Sequence, residues 1–88
     1  MSEIVISGYY GFGNAGDEAM LAAMIEVLSE LASDIKITVI SGNPEETRKR
    51  HGVESVYRLN YPEIAKRLSR SQLLISGGGS LLQDVTSE

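Results

Sequence analysis

No cysteine occurs in the sequence, which removes disulfides, thiolate nucleophiles and thiolate metal sites, and fits a reducing compartment. Histidine is nearly absent too. The single one, His51, has no second histidine to join it as a ligand, so no metal is expected. Basic residues are scarce: eight Lys and Arg against twelve Asp and Glu give a net charge of −4, which provides no broad cationic footprint for nucleic acid. The apolar runs are far too short to span a bilayer. The opening MSEIVISG places an acid where a secretion signal carries base. These absences describe a soluble, cytoplasmic protein, and its 88 residues make one domain at most.

What is present is an alternation. Strand-like runs occur at EIVIS (3–7), KITVIS (36–41), ESVYR (54–58) and QLLIS (72–76). The first, second and fourth carry consecutive apolar residues, as strands covered on both faces do. Between them, residues 17–32 predict a helix with Asp17 as N-cap. Met20, Met24, Val27, Leu28 and Leu31 form its core-facing stripe, with Glu18, Glu26 and Glu30 largely off it. Residues 44–52 open with proline and acids, gather bases and end at glycine, the polarity of a short helix. The RKRH at 48–51 then reads as a solvated helix end. Residues 61–70 repeat the scheme. Alternating β and α units predict an α/β, Rossmann-like parallel sheet with right-handed crossovers and strand order 3-2-1-4. In that order strands 1 and 4 flank the point where the winding reverses, and their carboxyl ends form a crevice.

Two glycine-rich loops would face it: GYYGFGNAGDE after strand 1 and GGGSLLQD (77–84) after strand 4. Glycines 11, 13 and 16 have the G-x-G-x-x-G spacing of a dinucleotide site, but Gly8, Tyr9 and Tyr10 delay the first of them. Strand 2 also ends in Ser41, Gly42 and Asn43, without the acid that would bind a ribose. Asp17 stands where a phosphate would rest. A carboxylate about 5 Å from it costs roughly 3 kcal/mol per unit charge at an effective dielectric near 20. A helix terminus returns only about 0.3–1 kcal/mol. Neither loop has Lys or Arg, and no Gly-Lys-Ser/Thr makes a P-loop. The inventory suits hydroxyls instead: Asn14, Ser80 and Gln83 as donors, Asp17, Glu18 and Asp84 as acceptors, and Tyr9, Tyr10 and Phe12 as apolar faces. A carboxylate in such a cleft can serve as general base, the order of candidates being Asp17, Asp84 and Glu18. Each residue also has a purely structural alternative: a cap at Asp17, a tight turn at Gly77–Gly79, a solvated helix position at Asp84, surface loop at Tyr9 and Tyr10. A nucleotide- or dinucleotide-binding domain and a flavodoxin-like interaction domain remain as other functions.

Taken together, GYYGFGNAGDEA (8–19) and SGGGSLLQD (76–84) resemble the two N-terminal signatures of the polysaccharide pyruvyl transferase family, in particular its CsaB type from bacteria with surface-layer proteins bound to a pyruvylated wall polymer. The resemblance implies transfer of a pyruvyl group from phosphoenolpyruvate to an N-acetylmannosamine of a wall-polymer precursor, giving a 4,6-ketal and phosphate, with no cofactor. It implies a glycosyltransferase-B-like enzyme, of which residues 1–88 are the first part of the N-terminal domain. By the same likeness Asn14, Asp17, Ser80 and Asp84 line the cleft or bind on the acceptor side; Tyr10, Gly11, Gly13, Gly16, Gly77, Gly78 and Gly79 complete the expected substrate-binding set, and Asp17 is the catalytic candidate as a general base. No Arg, Lys or His lies in a crevice loop, so the donor's cationic clamp is expected outside this chain. A lipid-linked precursor would bring the enzyme to the inner face of the membrane. The 88 residues alone are expected to be marginally stable, self-associating and inactive.

Overall fold

The computed structural model describes residues 3–76. Strands β1 (Glu3–Tyr10), β2 (Lys36–Ser41), β3 (Glu54–Tyr57) and β4 (Leu73–Ser76) alternate with helices α1 (Ala15–Leu31), α2 (Pro44–His51) and α3 (Tyr61–Arg70). The described strands form one parallel sheet in the order β3-β2-β1-β4, as the β/α alternation predicts. Ile4 lies opposite Ile37 and Ile6 opposite Val39. Because successive side chains point to opposite faces, these four share one face and meet Leu21 of α1 and the ring of Tyr10 in a single buried cluster. Burial of each large aliphatic there contributes about 1.5–3 kcal/mol. On the opposite face Arg67 of α3 donates to Thr38 Oγ1 at 3.1 Å and pairs with Glu54 and Glu63, tying α3 to the amino-terminal side of β2 and β3. Arg70 and Glu3 add a second tie, at 3.3 Å.

Three features depart from the sequence-based expectation. Strand β1 continues to Tyr10, because its pairing jumps from Ser7 opposite Ile40 to Tyr10 opposite Ser41. Gly8 and Tyr9 are the extra residues in this irregularity. A Cβ on Gly8 would lie 2.6 Å from the Tyr10 ring, so the ring closes over a position that only glycine leaves open. This bulge is the physical cause of the late first glycine.

Helix α1 starts earlier than expected, and its cap is Asn14 rather than Asp17. Asn14 has extended backbone angles (φ −85°, ψ 108°), and its Oδ1 accepts from Gly16 N at 3.0 Å and Asp17 N at 3.2 Å. Asp17 is already helical and cannot cap.

The inward face of α1 is rotated from the expected stripe. Leu21 is buried, and Met24, Ile25 and Leu28 pack on the core, whereas Met20, Val27 and Leu31 are 50, 54 and 76% exposed. Glu18 occupies the inward face, where a hydrophobic pattern has no means of placing an acid. Among the described residues no helix is long and apolar enough to cross a membrane.

Candidate functional site

Parallel strands put every following loop at one edge of the sheet, and the three described helices start there, on Asn14, Asn43 and Asn60. Ser7 pairs with Ser76, so β4 runs out beside the bulge of β1. The crevice of the predicted topology is therefore bounded by the glycine loop on one side and the end of β4 on the other. Gly77, Gly78, Gly79, Ser80, Gln83 and Asp84, expected to line it, lie outside the described residues.

The glycine loop is seated on the end of β2. Gly42 N donates to Tyr10 O at 2.9 Å, and Asn43 N donates to Ser41 Oγ at 2.9 Å. Gly11 adopts φ +84° directly above, and a Cβ there would strike Ser41 Oγ and come within 2.5 Å of Asn43 N. Both the positive φ and the close approach require glycine. Gly13 has φ +80° with open space around it, so its requirement is conformational alone. Phe12 projects between them over Gly42, and a side chain on Gly42 would overlap its ring.

The loop is fastened by a buried acid. Gly11 N donates to Glu18 Oε2 at 2.8 Å, and Glu18 Oε1 receives His51 Nε2 at 2.8 Å. The side chains of His51 and Glu18 are 5 and 8% exposed. Burial pushes the Glu18 carboxyl up, but the Gly11 N–H and the His51 ring outweigh it and hold the group below its ordinary value. Glu18 is thus ionised, with both oxygens occupied. It is a brace rather than the acceptor or base expected from sequence.

Asp17 is different. Half-buried in the first turn of α1, its carboxylate has neither a hydrogen bond nor an ion pair among the described residues. Its charge acts on the phenol of Tyr10. Tyr10 is 1% exposed, and its hydroxyl has no hydrogen-bond partner among the described residues. Burial first, then the charges of Asp17 and Glu18, push the phenol up, so it remains a protonated donor. Tyr10 was expected to offer an apolar face to the crevice; its ring instead belongs to the core, and only its O–H is unspent. Asn14 is exposed, with its Oδ1 committed to the cap, and Gly16 stands beside it.

The first-turn amides are also largely used. Gly16 and Asp17 N–H go to Asn14 Oδ1, and Glu18 N–H goes to Asn14 O at 3.0 Å. A pyrophosphate needs those donors, whereas this helix start offers a bare carboxylate.

A cation stands at this edge outside the two crevice loops, at a position read from sequence as the end of the third strand. Arg58 directly follows β3, its N–H donating to Ser41 O at 2.9 Å, and its guanidinium lies 5.5 Å from the centroid of Phe12. No salt bridge engages it among the described residues. Its position after a strand was the available signal, since any residue there faces the same edge. His51 had no such signal, being 33 residues from Glu18.

No curated protein and no solved structure matches this chain. The family model for polysaccharide pyruvyl transferase matches residues 14–87, running from the cap of α1 through the end of β4 and over most of the sequence. The chain therefore belongs to the polysaccharide pyruvyl transferase family.

Proposed function

We propose that these residues form the acceptor-side wall of a CsaB-type enzyme that transfers a pyruvyl group from phosphoenolpyruvate to an N-acetylmannosamine of a lipid-linked wall-polymer precursor. The work takes place in the cytoplasm at the inner membrane face, requires no cofactor and serves the anchoring of surface-layer proteins. In the reaction the donor's methylene carbon gains a proton and becomes a methyl group. The 4- and 6-hydroxyl oxygens bond to the central carbon, and its bond to the phosphate oxygen breaks. Of the two hydroxyl protons released, one balances the methyl and the other leaves on phosphate. The step calls for a carboxylate near the sugar hydroxyls and for cations near the donor.

The observation that carries this reading is Asp17: a carboxylate at the head of α1 with no partner among the described residues, near enough to the Tyr10 phenol for its charge to act on it. Asp17 accepts a sugar hydroxyl proton. Gly11, Gly13, Asn14 and Gly16 shape the loop around the sugar, and the second motif contributes through Gly77, Gly78, Gly79, Ser80 and Asp84. Arg58 supplies one cation at the rim, and the rest of the donor clamp comes from residues outside this chain.

The test is incubation of the full-length enzyme with phosphoenolpyruvate and an N-acetylmannosamine-terminated acceptor, followed by product mass. A single pyruvyl ketal is expected. With Asp17→Asn, kcat is expected to fall by about a hundredfold or more, the scale of general base catalysis. An undiminished rate removes Asp17 from the chemistry, and absence of ketal in the wild type removes the assignment.

A further inference from the structure

The substrate-binding reading gives no work to the buried imidazole of His51. His51 is the last residue of α2, yet its side chain is as buried as a core residue and points Nε2 at Glu18. Its neighbours in the basic run behave otherwise: Arg50 is exposed and pairs with Glu46 at 2.8 Å, and Lys49 is exposed.

We infer that His51 is a positioning residue for the substrate loop, fixing the Glu18 carboxylate so that Glu18 in turn fixes the Gly11 N–H and the conformation of residues 11–14. What that loop binds rests on the pyruvyl transfer reading; how it is held does not. An ionised carboxylate is an acceptor with two oxygens, and here the two are divided, Oε2 to the loop and Oε1 to the imidazole. With Gly11 and Gly13 both at positive φ, the loop has little conformational preference of its own. A short charge-assisted bond from its first amide therefore sets where Phe12 and Asn14 stand. Without the His51 contact, the Glu18 side chain regains several rotamers and the bond to Gly11 competes with them. An imidazole suits the buried place because it can donate while neutral, whereas a lysine or arginine would bring a permanent charge to desolvate.

The comparison of His51→Gln with His51→Asn in the full-length enzyme tests this. A glutamine amide nitrogen reaches about where Nε2 stood, and an asparagine falls short. Two readouts are taken: hydrogen exchange and chemical shift of the Gly11 amide in glycine-labelled protein, and the KM for the sugar acceptor beside kcat. In His51→Asn the Gly11 amide is expected to shift and lose protection by about tenfold, matching the loss of a hydrogen bond to a charged group. The acceptor KM rises by a similar factor with kcat changed less, and His51→Gln restores both readouts. A Gly11 amide unmoved in His51→Asn, an unchanged acceptor KM, or equal loss with Gln and Asn overturns the inference. Should His51→Asn not fold, His51→Leu, which fills the apolar surroundings without a donor, replaces it under the same criteria. A wild-type enzyme without pyruvyl transfer sinks only the assignment of function, and Gly11 protection then decides the role of His51.

Discussion

Glu18 is flanked by Asp17 and Ala19 on an otherwise amphipathic helix, and nothing local distinguishes it from the solvated Glu26 and Glu30. Its burial arises from two distant donors, Gly11 N–H and His51. Because its folded pKa is depressed, the stability it contributes is full above the ordinary glutamate value and is lost as pH falls through the depressed one. Glu18→Gln should therefore be less stable than wild type at neutral pH, with the gap narrowing in acid, once the pH falls through the depressed value and the wild-type carboxyl takes up its proton. Urea unfolding at both pH values measures it; a gap that widens in acid would contradict the shift. Tyr10 gives the complementary case. Its buried hydroxyl has no partner among the described residues, so Tyr10→Phe should leave stability unchanged or raise it by up to about 1–3 kcal/mol, the cost of an unsatisfied buried group. A loss of pyruvyl transfer in the same variant, with stability intact, would mark the O–H as a group kept for the ligand.

At the level of elements, α1 shows how a start signal is shared among residues. The sequence GNAGDE contains two capping candidates, Asn14 and Asp17, and only the backbone decides between them: Asn14 is extended and Asp17 is not. The consequence is chemical, since a capping Asp17 would have its carboxylate occupied. The loop before the helix is similarly constrained. Gly11→Ala should destabilise by about 1–3 kcal/mol or more, through left-handed backbone strain together with collision against Ser41 Oγ and Asn43 N. Gly13→Ala, strained but unobstructed, should cost less. A comparison of the two unfolding midpoints checks this, and equal losses would mean the close approach at Gly11 relaxes freely.

For the molecule as a whole, the parallel sheet brings the loop after β1 and the residue after β3 to one edge, across the end of β2. Arg58 over Phe12 is the visible link between them. An exposed cation–π contact contributes only about 0.5–1 kcal/mol, so Arg58→Ala should lower stability by no more than that. Its larger expected effect is on binding: removal of the rim cation should raise the KM for a phosphate-bearing substrate more than it lowers the melting temperature would suggest. Paired calorimetric melting and steady-state kinetics measure both, and an unaltered KM would return Arg58 to a purely mechanical part.

The sequence by itself determined the elements and their order. The apolar runs 3–7, 36–41 and 72–76 read as strands, although in the last of them Leu73 is 44% exposed rather than covered, Pro44 and Gly52 bracketed α2, and strict alternation with right-handed crossovers led to 3-2-1-4, because these signals are local or follow from chain connectivity. The two glycine motifs likewise carried the family, since their spacing is written in the chain. Which acid is spent and which is free was decided only in three dimensions. Asp17 and Glu18 are adjacent and chemically alike, yet one meets His51 from 33 residues away and the Gly11 amide, and the other meets neither. Long-range contacts of this kind depend on how α1 rotates onto the sheet and on the bulge at Gly8 and Tyr9, neither of which leaves a periodic trace in the sequence.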